Sequence, residues 1–418
     1  MPDITPMQVV AQVSQQRLLD RLAQLARFGA QENGGVDRQA LSTVELDARA
    51  WLIDWAGSLG CEVITDDSAN LFIRRAGQEA LPPVVTGSHI DTQPSGGNLD
   101  GCYGVIAGME CLSALHDAGI TTRRPIEVAV WMNEEGSRFA PGAMGSSAYV
   151  EPSRLNNYLA HQDASGTTVA QALQRCHDRF PHLPRRARVP FAAFIELHIE
   201  QGPVLEQAAL PLAVVSGIQG VRWYQVTCYG ESAHAGTTPM AVRQDAMTLA
   251  RHTAHQVELA MAHLPAEELR LTFGRWDIAP NAINTTASRV SFTIDFRHAD
   301  TSVLAEFDAV MQQFAAVNVQ VKSLFHHQPV AFDVGLISQQ HASAEALGIA
   351  AMKLMSGAFH DAMHLAGHCP TSMFFVPSHC GISHNPAEHT DPQYLYLGAK
   401  ALAHCLTELA NQPEGVNP

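Results

Sequence analysis

The 418-residue chain has 26 Lys and Arg against 41 Asp and Glu, a formal net charge of −15, with 46% hydrophobic and 16% charged residues. A chain of this length is expected to form two domains, and this composition excludes a largely disordered protein. The acidic balance argues against a nucleic-acid-binding protein, which needs a basic face.

The sequence has no apolar run of the roughly 18 to 20 residues that a membrane span needs, so we expect no membrane partner. The first ten residues have neither the basic nor the apolar region of an export signal. Eight cysteines are scattered without a C-x-x-C pair, which is typical of reduced, mostly buried thiols. We therefore expect a cytoplasmic protein.

Predicted helices and strands alternate over residues 1–217 and again near the C-terminal end of the chain. Amphipathic patterns predict helices over 8–28 and 41–59, the second starting with a capping-box pattern and stopping at Gly60. Apolar runs of strand length then alternate with helical stretches. These segments are strands 82–87, 126–132, 191–197 and 373–376 and a helix over 103–118. The alternation predicts an α/β fold with a mostly parallel sheet and flanking helices.

Residues 221–330 have a different pattern. Alternating polar and apolar residues predict strands over 221–229, 268–277 and 288–297 and near 319–324, with a helix over 240–262 and another before the last strand. A β-α-β-β-α-β order is the signature of a ferredoxin-like α+β domain. We therefore predict a catalytic domain formed by residues 1–217 and 331–418, with an inserted domain over 218–330.

Candidate metal ligands follow the predicted strands, and ligand sites in open α/β sheets lie at the carboxyl ends of the strands. The first strand leads into His89 and Asp91, which lie two residues apart and project to one side of extended backbone. One of the two can bind a cation while the other orients it. Asp100 follows in the segment 96–101, whose glycines permit close approach of the backbone to a buried ion.

The later strands lead to further candidates. The strand over 126–132 is followed by Glu134 and Glu135, whose adjacent carboxylates repel each other unless cations compensate them or one is protonated. We interpret Glu135 as a metal ligand and Glu134 as an unligated general base. The third and fourth strands lead to His198 and His384.

This set of imidazole nitrogens and carboxylate oxygens suits Zn²⁺, with Mn²⁺, Co²⁺ and Ni²⁺ as alternatives. Each residue alone is more often structural, but four strand ends with such residues favour a metal site. A second His pair, His364 and His368, has the i, i+4 spacing of a helical zinc site without the glutamate of H-E-x-x-H. We interpret that pair as ordinary polar helix residues.

Six segments together resemble the amidase, hydantoinase and carbamoylase branch of the M20-type di-metal hydrolases, in the family's order. They are GSHIDT, GGNLDG, NEEGSRFAPGAMGS, ELHIEQGPVLE, ESAHAGTTPM and GISHNPAEHT. The resemblance covers nearly the whole chain. It implies a di-zinc exopeptidase-like catalytic domain with an inserted dimerisation or lid domain, and two divalent metal ions per subunit.

The resemblance also implies roles for the candidate ligands. Asp100 would bridge the two ions, with His89 and His198 completing one site and Glu135 and His384 the other. Glu134 would be the base and Asp91 the partner of His89. The peptidase members of the superfamily have an acidic residue at the position of His198, so this histidine indicates the carbamoylase side.

Substrate-binding roles follow from the same resemblance. His234 would reach across the interface of a homodimer to the substrate carbonyl, and Gln201 would lie near the substrate amide. Asn284 and Arg297 would bind the substrate carboxylate, for which an Arg fork is well shaped. Without the family, a surface ion pair of Arg297 with Asp295 or Asp300 would be the simpler interpretation.

The chain departs from the family pattern at two places. Residues 285–287 read Thr-Thr-Ala where many relatives have Val-Val-Pro-Gly, and Phe359 stands where a glycine is common. The first departure affects the surroundings of Asn284, and the second affects the shape of the pocket.

Four functions are compatible with these observations. The first is hydrolysis of an N-carbamoyl-L-amino acid or β-ureido acid, and the second is allantoate amidohydrolysis. A dipeptidase or aminoacylase is third, disfavoured by His198. A non-catalytic scaffold on the same fold would normally have lost a ligand or the base, and none is missing here.

Overall fold

The computed structural model describes residues 5–413. The chain divides into two compact units, Met1–Gly217 together with Ala331–Pro418, and Ile218–Val330. Between residues 5 and 413, no helix combines the length and the apolar character that crossing a membrane would require.

Helices and strands alternate along most of the chain. The helices, in chain order, are α1 Pro6–Val10, α2 Gln15–Ala26, α3 Thr43–Ser58, α4 Cys102–Asp117, α5 Met144–Val150, α6 Arg154–Tyr158, α7 Val169–Arg179, α8 Val204–Ala208, α9 Ala246–Met261, α10 Thr301–Gln313, α11 Val334–Ala346, α12 Ala362–Leu365 and α13 Pro392–Asn411. The strands are β1 Glu62–Thr65, β2 Leu71–Arg75, β3 Val84–His89, β4 Ile126–Trp131, β5 Ala193–Ile199, β6 Leu212–Ile218, β7 Gly220–Tyr229, β8 Arg270–Ala279, β9 Arg289–His298, β10 Val319–His327, β11 Val330–Ala331, β12 Ala351–Ser356 and β13 Thr371–Val376.

The first unit is built on a large sheet with the strand order β1-β2-β4-β3-β5-β13-β6-β11, and β12 pairs with β6. The four central strands β4, β3, β5 and β13 run parallel. All their residues are buried, because helices such as α4 and α13 pack against the sheet and parallel strands are stable when both faces are covered. The predicted α/β fold with a mostly parallel sheet is confirmed.

Two features of this unit differ from the sequence-based expectation. The predicted helix over 8–28 is two helices, α1 and α2, because Ser14 caps the second: its hydroxyl accepts a hydrogen bond from the backbone of Arg17. Strands β1, β2, β6 and β12 were not expected. Antiparallel pairs join β1 to β2, β2 to β4 and β6 to β13. Short strands near the edges of a sheet carry little periodic signal in the sequence.

The second unit has the predicted β-α-β-β-α-β order. Its sheet is antiparallel, with the strand order β10-β7-β9-β8, and α9 and α10 contribute Val257 and Phe307 to its core. The first helix begins at Ala246 and not at 240, because the Asp245 carboxylate caps it by accepting the backbone N–H of Met247.

Candidate metal centre and active site

The carboxyl ends of the four central strands bring the predicted metal ligands of the first unit together. His89 is the last residue of β3, and His198 is the penultimate residue of β5. Glu134 and Glu135 follow the end of β4, and His384 follows β13 after a short turn. Parallel strands end at one edge of a sheet, which is why residues far apart in sequence meet here.

Asp100 lies between two groups of potential ligands. Its Oδ1 is 3.1 Å from Nε2 of His198 and 3.7 Å from Nε2 of His89. Its Oδ2 is 3.1 Å from Nε2 of His384, which lies 3.3 Å from Oε2 of Glu135. There are thus two groups, His89–Asp100–His198 and Asp100–Glu135–His384. Within each group the potential ligand atoms lie within 4.8 Å of one another, and the Asp100 carboxylate belongs to both groups.

Main-chain carbonyls fix the tautomers of two of these histidines. Nδ1 of His89 is 2.9 Å from the carbonyl oxygen of Asp91, and Nδ1 of His198 is 2.8 Å from that of Ile199. A carbonyl only accepts, so each Nδ1 carries a proton, and in the neutral ring each Nε2 has a lone pair. Both lone pairs lie on the side of Asp100, as ligation of a cation requires.

Asp91 holds the segment that follows β4. Its carboxylate accepts the backbone N–H groups of Glu134 and Glu135 at 3.3 and 3.2 Å. The nearest distance from this carboxylate to Nδ1 of His89 is 3.7 Å, which is too long for a hydrogen bond. The partner of His89 is therefore the main-chain carbonyl of Asp91, and the carboxylate instead positions the two glutamates. Gln93 orients Glu135 in turn, donating from its side-chain amide to Oε2 at 2.7 Å.

Glu134 stands beside the first group without belonging to either. Its Oε2 lies 3.4 Å from Nε2 of His89. Burial, and then the charges of Asp361 and Glu135, raise the pKa of Glu134 well above its usual range. A carboxylate with a raised pKa next to a ligand group is able to accept and hold a proton.

The donor set and its electrostatics fit two divalent cations. Burial and nearby carboxylates raise the pKa of Glu135 to about 8, and burial raises that of Asp91 to about 6. Burial also raises the pKa of Asp100, but its hydrogen bonds with His198 and His384 outweigh that effect and hold it well below its usual range. Carboxylates crowded in this way repel one another, and a cation between them would remove the repulsion.

A further carboxylate, Glu388, holds the shared aspartate in place and was not predicted from the sequence. Its Oε1 accepts the backbone N–H groups of Leu99 and Asp100 at 2.8 and 3.1 Å, and its Oε2 lies 3.1 Å from the Ser383 hydroxyl. A Cβ at Gly97 would lie 2.1 Å from Oε1 of Glu388, so the glycine makes room for this contact. Glu388 lies in the segment GISHNPAEHT, and its place in that family-like segment was the only sequence feature that could have indicated this role.

A third group of potential ligands lies behind His198. It consists of Glu196, His198 and His360. Glu196 accepts the Ser88 hydroxyl at 2.6 Å and the backbone N–H of Ala362, so its carboxylate already has two donors. Burial lowers the pKa of His360 well below its usual range, which keeps this imidazole neutral.

The His364 and His368 pair was interpreted as two polar helix residues, and the structure corrects this for one of them. Helix α12 ends at Leu365, so His368 lies beyond it. Nε2 of His368 is 3.0 Å from the carbonyl oxygen of Val189, and its ring packs edge-on against Tyr149. The turn after α12 ends the helix before the second histidine of the i, i+4 spacing.

Gln201 lies in the first unit beside the shared aspartate. Its side-chain amide donates to Oδ2 of Asp100 at 2.8 Å and lies 3.1 Å from the Ser383 hydroxyl. Within the described residues, its buried Oε1 has no hydrogen-bond partner. This leaves one acceptor at the edge of the metal-ligand groups.

Two of the remaining candidates lie together in the second unit. His234 is exposed, and its Nδ1 accepts the backbone N–H groups of Gly236 and Thr237 at 3.0 and 3.2 Å. In the neutral ring, Nε2 therefore carries the proton and can act as a donor. The backbone of Ala235 donates to the carbonyl of Asn284 at 2.9 Å, which places the His234 loop against Asn284.

Arg297 forms the ion pair that its sequence surroundings suggested. Its Nε and Nη2 donate to the Asp295 carboxylate at 3.0 and 2.8 Å. Both side chains are about one quarter to one third exposed, so the pair is accessible to solvent and weak.

Comparison with known proteins identifies the family. The model of peptidase family M20/M25/M40 matches residues 85–408. This chain belongs to that family. An amidase of the hydantoinase/carbamoylase family from Burkholderia multivorans has a similar solved structure, with a TM-score of 0.88 and 40% identity over 96% of this chain and 99% of the other.

Two curated relatives have different substrates in their names. The N-carbamoyl-L-amino-acid amidohydrolase of Rhizobium meliloti is 34% identical over 95% of this chain and 97% of the relative. The allantoate amidohydrolase of Escherichia coli (strain K12) is 36% identical over 95% and 98%. Overall similarity to the two relatives is nearly equal and does not choose between their substrates.

Proposed function

We propose that this M20-family chain hydrolyses a C–N bond in the ureido group of a small N-carbamoyl amino acid, releasing the amino acid, CO₂ and ammonia. The observation that carries the proposal is the carboxylate of Asp100, shared by two ligand groups with Glu134 beside them. Relatives named for carbamoyl amino acids and for allantoate support a ureido substrate.

Two divalent cations complete this site in the proposal, with Zn²⁺ as the expected metal because imidazole nitrogens and carboxylate oxygens suit it. His89 and His198 would hold one cation, Glu135 and His384 the other, and Asp100 both. When bound, the cations lower the pKa of a water molecule and polarise the substrate carbonyl.

Glu134 acts as the general base in this proposal. It takes a proton from the attacking water while the oxygen–carbon bond forms, and it returns that proton to the leaving nitrogen as the carbon–nitrogen bond breaks. Burial raises the pKa of Glu134, which favours its holding the proton between the two steps. Asp91 supports this role, since it fixes the backbone at Glu134.

His234 and Gln201 are assigned to the ureido group. The Nε2–H of His234 would donate to the carbonyl oxygen, because its Nδ1 is occupied as an acceptor. We propose that this histidine comes from the other chain of a homodimer. The Oε1 of Gln201 would accept a substrate N–H group, the partner that it otherwise lacks among the described residues.

Asn284 and Arg297 are assigned to the substrate carboxylate. Arg297 already binds Asp295 through two nitrogens, so a substrate carboxylate has to compete with that partner for the guanidinium. Asn284 adjoins the His234 loop, so the same loop region would contact both ends of a short substrate.

Allantoate is the second candidate substrate. It also combines ureido groups with a carboxylate, and the Escherichia coli relative named for it is 36% identical to this chain, against 34% for the carbamoylase. An ammonia-release screen of the metal-loaded enzyme on allantoate, N-carbamoyl-β-alanine and several N-carbamoyl-L-amino acids separates the two. Faster turnover of allantoate would replace the first proposal, and hydrolysis of none would remove both.

The base assignment has its own test. Glu134→Gln should retain both cations and lose about 100- to 10,000-fold in kcat, because general-base catalysis typically contributes 10²–10⁴-fold. Metal content by mass spectrometry and single-turnover kinetics provide the two measurements. Near-normal kcat with full metal content would show that another group takes the proton.

A further inference from the structure

We propose that Glu206, His379 and Cys380 form a third cation site, separate from the two groups around Asp100, that binds a soft divalent cation such as Zn²⁺ or Cd²⁺. All three residues are exposed, and one ligand atom from each lies within 4.8 Å of the others. The group combines a thiol, an imidazole and a carboxylate, which are the ligand types found in zinc sites.

The imidazole is already oriented for a cation. Nδ1 of His379 is 2.7 Å from Oε1 of Glu206. The Glu206 carboxylate accepts this hydrogen bond, so Nδ1 carries the proton. The lone pair of Nε2 then faces the sulfur. A carboxylate that orients a histidine through Nδ1 is the usual arrangement behind zinc-binding histidines.

The spacing of sulfur and nitrogen matches a shared cation. Sγ of Cys380 is 3.5 Å from Nε2 of His379. Zinc bonds of about 2.3 Å to sulfur and 2.0–2.1 Å to nitrogen, at a tetrahedral angle, separate the two atoms by roughly 3.6 Å. A cation can bind between them with little movement. The thiol proton is released to solvent as the sulfur–metal bond forms, and water completes the coordination.

The backbone holds the cysteine in this position. Cys380 has a left-handed conformation, with φ of 54°, which non-glycine residues rarely adopt. Oε2 of Glu206 accepts the backbone N–H of Cys380 at 2.7 Å. The same carboxylate therefore holds both the His379 ring and the backbone of Cys380. The site is therefore assembled before a cation arrives, which lowers the entropic cost of binding.

The thiol makes the site detectable apart from the catalytic centre. All eight cysteines lie within the described residues, and Cys380 is the only exposed one. The two groups around Asp100 contain no cysteine. Ultraviolet absorption from thiolate-to-Cd²⁺ charge transfer therefore reports this site and is silent for the catalytic centre, so the result does not depend on the proposed function.

The test is a Cd²⁺ titration of the reduced, metal-loaded full chain, followed by ultraviolet absorption. The wild type should develop the band with one equivalent per subunit, and Cys380→Ser should show none. His379→Gln and Glu206→Gln should weaken Cd²⁺ binding at least about tenfold. Cys61→Ser, which removes a partly buried thiol, is the matched control and should behave as the wild type.

Three results would overturn the proposal. They are the absence of a band in the wild type, an unchanged band in Cys380→Ser, and equal Cd²⁺ affinity in the wild type, His379→Gln and Glu206→Gln. The last result would mean that the exposed Cys380 thiol binds Cd²⁺ without help from His379 or Glu206. Circular dichroism spectra and thermal midpoints equal to those of the wild type establish that each variant is folded.

Discussion

At the scale of single residues, Glu388 shows how a side chain outside the ligand set can determine the geometry of a metal site. The carboxylate of Asp100 has to face two ligand groups at once, so its backbone must be held firmly. Glu388 does this by accepting the N–H groups of Leu99 and Asp100. Replacing a partner that orients a ligating residue typically costs about 10- to 100-fold in metal affinity or activity.

Glu388→Ala should therefore weaken cation binding by about 10- to 100-fold while kcat at saturating cation changes much less. Glu388→Gln keeps one oxygen for the two N–H groups and should lose less affinity. Competition with a fluorescent chelator measures the affinity, and Glu345→Ala, at an exposed helical position, serves as control. A role limited to stability would lower the thermal midpoint of Glu388→Ala and leave its cation affinity at the wild-type value.

The residue scale also shows what could be predicted from the sequence. The five expected ligands form two groups that share Asp100. The signal for four of them was a strand-like apolar run ahead of the ligand, and the signal for Asp100 was the glycine-rich segment 96–101. The contact of Asp91 with the backbone of Glu134 and Glu135 could not be predicted. It depends on how the turn after β4 folds back, and turn geometry leaves no periodic signal.

At the scale of secondary structure, helix α4 joins the metal site to the core. It begins at Cys102, directly after Gly101, whose φ of 63° is left-handed. A Cβ at Gly101 would lie 2.3 Å from Nε2 of His89. The glycine thus allows the left-handed backbone conformation and leaves room for the His89 ring.

Gly101→Ala should therefore displace His89 and reduce the metal content to at most one cation per subunit after dialysis against limiting Zn²⁺. Gly119→Ala is a matched control just beyond the other end of the same helix. Gly119 has a φ of 64°, and nothing lies within 4 Å of a Cβ there, so it has the same backbone strain without the clash. Equal metal content in the two variants would refute the steric argument.

The connection between β1 and β2 supports the end of β4 from another side. The Asp66 carboxylate accepts the backbone and side-chain N–H groups of Asn70, and Oδ1 of Asn70 accepts the backbone N–H of Met132. This network fixes the residue just before the segment that carries Glu134. Burial raises the pKa of Asp66 to about 6 from 3.8, in spite of these donors.

This shift makes stability depend on pH. Because the folded chain holds the Asp66 proton more tightly, the stabilising contribution is complete below pH 3.8 and is lost as pH rises through about 6. It amounts to about 3 kcal/mol at roughly 1.4 kcal/mol per pKa unit. The unfolding free energy of Asp66→Asn, measured by urea denaturation, should rise relative to wild type by up to that amount between pH 4 and 7. A pH-independent difference would mean that Asp66 has an ordinary pKa when folded.

The edges of the predicted sheets were harder to infer than their centres. The parallel strands β3, β4, β5 and β13 are fully buried and apolar enough to be recognised. The four-residue strand β1 has only three buried residues, and its pairing with β2 is fixed by neighbours distant in sequence. Whether such a segment forms a strand depends on its tertiary contacts more than on its local sequence pattern.

At the scale of the whole molecule, the second unit has features of a surface that pairs with another chain. Strand β8, Arg270–Ala279, is ten residues long and lies at an edge of the sheet formed by the described residues. Long edge strands leave backbone groups available to a strand of another chain. The exposed His234 loop lies in the same unit. These features fit the proposed homodimer, in which each chain would supply His234 to its partner's catalytic centre.

Such sharing predicts complementation between inactive variants. Homodimers of His234→Ala and of Glu134→Gln should each have little activity, because every catalytic centre lacks one group. After random subunit exchange half of the dimers are hybrids, and each hybrid has one complete centre out of two, so activity should reach about one quarter of the wild-type value. Ammonia release on the best substrate of the screen measures this recovery.

The control for this experiment replaces Glu134→Gln by the double variant Glu134→Gln, His234→Ala. Its hybrids with His234→Ala contain no complete centre, so no activity should return. Exchange itself is verified by native mass spectrometry with one partner isotopically labelled. If labelled hybrids form and the first mixture stays inactive, each chain uses its own His234, and the dimer has no part in completing the catalytic centre.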